Sequence, residues 1–314
     1  TIEFVALRPQ MTAADAIASI RRTGMDKETV NNCYIIDESR HLLGVVSLRG
    51  IVMAREDARM QDIMETNVIS VTTQEDQESV ARLFSLYDLN VLPVVDTENR
   101  MVGIVTVDDA IDVIEEETTE DISKMAAITP SDRPYLKTSV WMLWKSRIPW
   151  LLLLMLSATF TGMIITHFEG VLSFSIALTA AIPMLMDTGG NCGSQSSVTV
   201  IRSLSLGELH FKDLFKVWWK EARVAVMCGV TLAVATFVKL LLIERVGVPI
   251  ALTICLTLCV TVFIAKMVGC TLPILADKLG FDPAVMASPF ITTIVDALAL
   301  LIYCGFAGMI LGLA

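Results

Sequence analysis

Five long apolar runs fill the second half of the chain, around residues 148–168, 171–201, 217–243, 248–275 and 286–314. Each is long enough, at about 20 residues or more, for a helix to cross the roughly 30 Å hydrocarbon core of a bilayer. The first part of the chain has a shorter rhythm, strand-length apolar stretches broken by polar turns, and it repeats itself. The segment Tyr34 to Ser47 recurs as Pro93 to Thr106, an offset of 59 residues, with Asp37 and Gly44 spaced as Asp96 and Gly103 are. Each copy reads as strand, polar turn, strand; each follows an amphipathic helix, Ala13 to Arg22 and Gln77 to Tyr87, and precedes a further helical stretch. From Val107 to Ile128 the spacing of Ile111, Ile114, Ile122 and Met125 predicts one more amphipathic helix, stopped by Pro130 and Pro134. The pattern therefore predicts an α+β repeat unit over residues 1–115, a connecting helix within 107–130 and an all-α membrane unit of five helices over 131–314.

Charge sharpens that division. The chain is 54% hydrophobic, with a mean hydropathy of +0.63. Residues 1–132 carry 25 Asp and Glu against 11 Lys and Arg, whereas residues 133–314 carry 9 against 13. So acidic a soluble half argues against nucleic acid as a partner, since phosphate binding relies on clustered Lys and Arg, and it suits cations better. Arg202, Lys212, Lys216, Lys220 and Arg223 fall in one loop region, while 167–170 holds no Lys or Arg and 244–247 holds one. By the positive-inside rule that loop and the N-terminal half are cytoplasmic, and the C-terminus is outside a plasma membrane crossed several times. Lys239 and Lys266 sit within apolar runs and are expected to snorkel towards an interface. Seven Cys without a CxxC pair read as reduced and inert, and His41, His167 and His210 form no nucleophile-base set, so an enzyme is not expected.

Two features carry chemistry. Asp296 lies inside the last apolar run with no other charged side chain between it and the C-terminus. A charge at mid-bilayer costs about 2.5 to 3.5 kcal/mol on insertion scales, so such a residue faces water, an ion or a partner. The second run holds Pro183 and then Asp187, Gly189, Gly190, Asn191, Gly193 and Gln195, a stretch too polar for lipid. Together they predict a cation pathway. The glycines admit two readings: a broken helix whose carbonyls line a cavity, or a helix-packing surface. Asn191 and Gln195 either hold water around an ion or bond a neighbouring helix, and Asp187 either lines the path or bonds within the bundle. Pro289, Thr292 and Thr293 precede Asp296, where Pro frees a backbone carbonyl and Thr hydroxyls satisfy exposed backbone. Asp282 before Pro283 reads as a helix start. The connecting helix carries Asp108, Asp109, Asp112, Glu115, Glu116, Glu117, Glu120 and Asp121 against Lys124 alone, a self-repelling surface unless cations or a basic neighbour are present.

The repeat resembles a tandem CBS pair. In nucleotide-binding members a Thr or Ser followed three residues on by Asp holds a ribose; Thr106 and Asp109 fit, whereas Ser47 is followed by Gly50, so ATP is a possible ligand of one site only. The stretch from Pro183 to Gln195, with Asp282 to Asp296 and the acidic helix before five spans, resembles the MgtE magnesium channel family, whose usual acidic N-terminal helical domain has no counterpart in this sequence. The resemblance implies a homodimer in the lipid bilayer with Asp296 as the ion-binding pore residue. It also implies a cytosolic Mg2+ sensor in which carboxylates such as Glu78, Asp88, Asp109, Asp112, Glu117, Glu120 and Asp121 close the pore when they bind the ion. The alternatives are a broader Mn2+ or Co2+ transporter, and a membrane protein whose CBS pair senses nucleotide.

Overall fold

A computed structural model describes residues 1–131 and 133–312, the Ser288 side chain excepted. The chain divides into two compact units, Thr1–Thr118 and Thr119–Ala314.

The first unit is built from two copies of one motif. Copy one runs β1 (Val5–Leu7), α1 (Ala13–Thr23), β2 (Asn32–Ile36), β3 (Leu42–Ser47) and α2 (Leu48–Met53). After the single turn α3 (Met60–Ile63), copy two runs β4 (Val71–Thr72), α4 (Gln77–Tyr87), β5 (Val91–Val95), β6 (Met101–Thr106) and α5 (Val107–Met125). Both sheets place the short first strand parallel to the middle strand of an antiparallel hairpin. The hairpins and their leading helices lie where the pattern puts them. The first strands, three and two residues long, are too short to leave a periodic signal.

Local chemistry fixes these elements. Thr12 and Asp15 form a capping box at the start of α1, and the Asp76 carboxylate accepts from Glu78 N and Ser79 N at the start of α4. From Cys33 onward β2 is apolar and buried because both of its faces are covered. Cys33 and Ile35 pack with Ala13, Ala16 and Ile20, while Tyr34 and Ile36 join Val91, Val95, Met101 and Ile104 of copy two in a shared core. The two hairpin turns also interlock. Arg40 (φ 70°) and Asn99 (φ 62°) both adopt the left-handed conformation, and Leu42 N donates to Asn99 O at 3.0 Å while Met101 N donates to Arg40 O at 2.8 Å.

The second unit takes the last residues of α5 and continues through α6 (Val140–His167), α7 (Glu169–Leu172), α8 (Ile176–Ser205), α9 (Leu214–Leu242), α10 (Val248–Lys278) and α11 (Ser288–Leu311). Among the described residues four helical stretches are long and apolar enough to cross a membrane: Val140–His167, Phe211–Leu242, Val248–Lys278 and Pro283–Leu311. The 30-residue α8 is long enough, at roughly 45 Å, but its polar stretch keeps it out of that set. It packs against both α10 and α11; α9 covers α10, and α6 lies on α11. The last two residues of the fifth expected run lie outside the described residues.

Three expectations need correction, and one of the two readings of the glycine stretch is not observed. The run 171–201 is not one element: α7 stops at Leu172, and the Ser175 hydroxyl caps a new helix by accepting from Ala177 N at 3.3 Å. The glycine-rich stretch does not break α8, which stays helical to Ser205. Gly189 and Gly193 sit at points of close packing: a Cβ on Gly189 would meet Val295 at 2.9 Å, and one on Gly193 would meet Ile291 at 2.7 Å. The connecting helix ends at Met125 rather than Ile128, because Ala127 turns left-handed (φ 52°). Lys266 does not snorkel. It is 4% exposed, with Nζ 3.2 Å from Ser196 Oγ and 3.6 Å from Glu221 Oε2, so a partner on α9 holds its charge inside the bundle.

Candidate cation site

In a continuous helix, residues four apart share a face. Pro183, Asp187 and Asn191 on α8 therefore form one stripe, and Thr292 and Asp296 on α11 form another. The two stripes meet. Pro183, Asp187, Gly190, Asn191, Thr292 and Asp296, with Ile182 and Met186, line one cavity of about 460 Å3. A Cβ on Gly190 would come within 2.9 Å of Thr292, so this glycine sets how closely the two walls approach. Pro183, Asp187, Asn191 and Gln195 are exposed in the single chain, and Asp296 is partly so. The bundle thus leaves a seam of carboxylate and amide groups uncovered along the middle of a helix as long as a membrane is thick.

The other candidates sit elsewhere. Gly189 and Gly193 face the interior of the bundle. Gln195 continues the α8 stripe one turn beyond the cavity. Pro289 occupies the first turn of α11, where no intrahelical donor is lost, and both Thr292 and Thr293 donate their hydroxyls to its carbonyl, at 3.0 and 3.1 Å. Asp282 starts the single turn Pro283–Met286 by accepting from Ala284 N at 2.7 Å. Sequence reasoning missed Ile182 and Met186 as wall residues, although the same helical spacing, applied through the glycines, places them there.

The acidic residues assigned to a sensor are dispersed. In the first unit Glu78 lies in the first turn of α4, Asp88 ends that helix in the left-handed conformation (φ 51°), and Asp112 is exposed. The Thr106 hydroxyl donates to Asp109 at 2.9 Å, joining the two residues of the ribose motif, and Gln77 donates to Glu117 at 2.8 Å. In the second unit Asp121 accepts from the Ser205 hydroxyl at 3.3 Å. Lys124 pairs with Glu120 at 2.5 Å and with Asp282 at 2.6 Å. Partial burial would lower its pKa, but the two carboxylates outweigh that and hold the ammonium above its usual range. Met125 packs beside Ile201, Ala284 and Ala287. The end of the acidic helix is therefore fastened to the end of α8 and to the turn that leads into α11, the two helices that form the cavity. Among the described residues no three His, Cys, Asp or Glu groups converge as a metal cluster within one chain.

An oxygen-rich seam with two carboxylates is poorly matched to lipid and well matched to a hydrated cation, which puts the chain among membrane cation transporters. The comparisons with known proteins make this specific. Residues 182–306 match the MgtE family profile, described as a divalent cation transporter, and residues 1–57 and 60–116 each match the CBS domain. The magnesium transporter MgtE of Thermus thermophilus is 41% identical over 99% of this chain and 69% of its own length, and that of Bacillus subtilis is 36% identical over 98% and 67%. The chain belongs to the MgtE family. A crystal structure of the cytosolic domain of the Mg2+ channel MgtE in complex with ATP is 49% identical over 36% of this chain and 46% of that one, with a TM-score of 0.36.

Proposed function

We infer that this chain moves Mg2+ across a membrane as a twofold dimer, with Asp296 of each copy facing a shared path and the acidic helix closing that path when cytosolic Mg2+ is high. One observation carries the reading: the polar stripe of α8 and the carboxylate of α11 border one cavity that a single chain leaves uncovered. Two carboxylates per chain are a thin ligand set for a dehydrated ion. A second copy related by a twofold axis doubles the set and covers the seam, and a cavity of this size accepts an ion that keeps much of its water. Family membership supports Mg2+ as the cargo. Among the described residues the cavity wall holds no His or Cys, which disfavours softer metals and leaves Mn2+ and Co2+ as competitors in the assay.

Closure follows from the fastening of α5. With Lys124 holding Asp282 and Met125 seated against Ile201, the last turns of the acidic helix, from Thr119 on, are tied to the cavity helices within the second unit. Mg2+ bound by Glu78, Asp88, Asp109, Asp112, Glu117, Glu120 or Asp121 relieves the repulsion among these carboxylates and favours the closed arrangement. Low Mg2+ frees it. The Thr106–Asp109 pair is the position at which ATP would modulate this balance. The test is Mg2+ uptake into liposomes at a series of internal Mg2+ concentrations: flux that falls as internal Mg2+ rises supports the reading, and absence of flux at every level sinks it.

A further inference from the structure

A second cavity, of about 790 Å3, lies in the first unit beside the interlocked hairpin turns, away from Thr106 and Asp109. Its wall contains Arg8, Lys27, Arg40 and Arg100, and among the described residues lining it Asp96 is the one acidic residue. Four of the eleven Lys and Arg of residues 1–132, a segment with 25 acidic residues, thus meet at one place. Their charges are largely unneutralised. The Arg8 guanidinium donates to the carbonyls of Ile36 and Asp37, and that of Arg40 donates to Met101 O at 2.8 Å. These bonds orient the groups without cancelling their charge. Arg100 pairs with Glu98, but none of the ion pairs among the described residues involves Arg8, Lys27 or Arg40.

The internal repeat offers a control. Leu7 pairs with Ile35 as Val71 pairs with Val94, so Arg8 corresponds to Thr72; the hairpin offset makes Arg40 correspond to Asn99 and Arg100 to His41. The arginines are a property of one side of the pair and not of the motif. The same cavity has apolar walls in Phe4, Ile36, Met101 and Val102. Apolar walls with a few convergent charges, in a volume within the usual range for small-molecule sites, suit an anion that carries a flat apolar group. Inorganic phosphate alone would leave those walls bare.

We propose that this cleft binds a nucleoside phosphate, with phosphate oxygens on Arg8, Lys27 and Arg40 and the base over Phe4, Ile36 and Met101, at a site separate from the Thr106–Asp109 motif. Planar guanidinium forks match phosphate oxygens in pairs.

The test is equilibrium binding of ATP to the full chain in detergent, with EDTA present to remove divalent ions and inorganic tripolyphosphate as the base-free probe. A saturable component should survive Thr106→Val, weaken about tenfold or more in Lys27→Ala and in Arg8→Gln, the loss that ~1.4 kcal/mol of contact represents, and exceed the binding of tripolyphosphate. Lys27→Ala guards against misfolding, because no hydrogen bond of its ammonium is found among the described residues, and its unfolding midpoint should match that of the unaltered chain. Binding that ignores both substitutions, that vanishes in Thr106→Val, or that tripolyphosphate matches would overturn the proposal, as would the absence of saturable binding.

Discussion

Asp296 and Lys266 show two ways for a charge to exist inside a membrane helix. Asp296 faces a cavity with a second carboxylate, Asp187, and no basic side chain among the described residues of its wall, so in the proposed path the cation itself is its counter-charge. Asp296→Asn keeps the size and removes the charge. Mg2+ flux should fall about tenfold or more, the factor given by ~1.4 kcal/mol of lost ion stabilisation, while the protein still assembles. Flux equal to the unaltered chain would remove Asp296 from the path. Lys266 is satisfied by fixed neighbours instead, Glu221 on α9 and the Ser196 hydroxyl, which itself donates to Glu221 at 2.7 Å. Removing one partner of a buried pair strands the other at a cost of about 3 to 5 kcal/mol, whereas removing both does not. Lys266→Met should therefore lower the unfolding midpoint in detergent more than the double substitution Lys266→Met with Glu221→Gln; the reverse order would mean that the pair contributes no mutual stabilisation.

At the scale of elements, the end of α5 that lies in the second unit is tied there by Asp121, Met125 and Lys124, the last being the one basic residue among the acidic side chains of that helix. Lys124→Gln should shift inhibition by internal Mg2+ to higher concentration without abolishing flux, measured in the same liposome series. An unchanged inhibition curve would make α5 a passive linker. How much of this was legible in the sequence depended on whether a signal was local. The hairpins and the helices α1 and α4 could be read almost to the residue, because the copy at an offset of 59 doubled every signal. Strands β1 and β4 could not, being shorter than one alternation. The cavity residues Asp187, Asn191 and Asp296 were visible as polar groups in apolar runs. Their arrangement was hidden by glycine, whose low helix propensity suggested a break. Close approach to α10 and α11 overrode that propensity. Lys266 was misjudged because its partner is 45 positions away in sequence, beyond any local pattern.

At the scale of the molecule, pore and sensor should separate. Replacing Glu78, Asp88, Asp112, Glu120 and Asp121 with Ala or Asn should leave Mg2+ uptake intact and raise the internal Mg2+ needed to stop it, since all five precede the first span and act through helix position rather than as shared ligands. Loss of uptake itself would join the two functions at one site. The uncovered seam on α8 also bears on how the protein is made. A segment carrying Asp187, Asn191 and Gln195 among its glycines, and outside the set of helices apolar enough to cross a membrane, is a poor substrate for insertion as it leaves the ribosome. Its entry into the bilayer should wait for α10 and α11, which offer the surface it packs on. A chain truncated after residue 210 should leave α8 unspanned in a glycosylation-mapping assay, and the full chain should restore it. The cation path would then be the last part of the bundle to be threaded, and its most polar helix the one whose topology depends on sequence not yet translated.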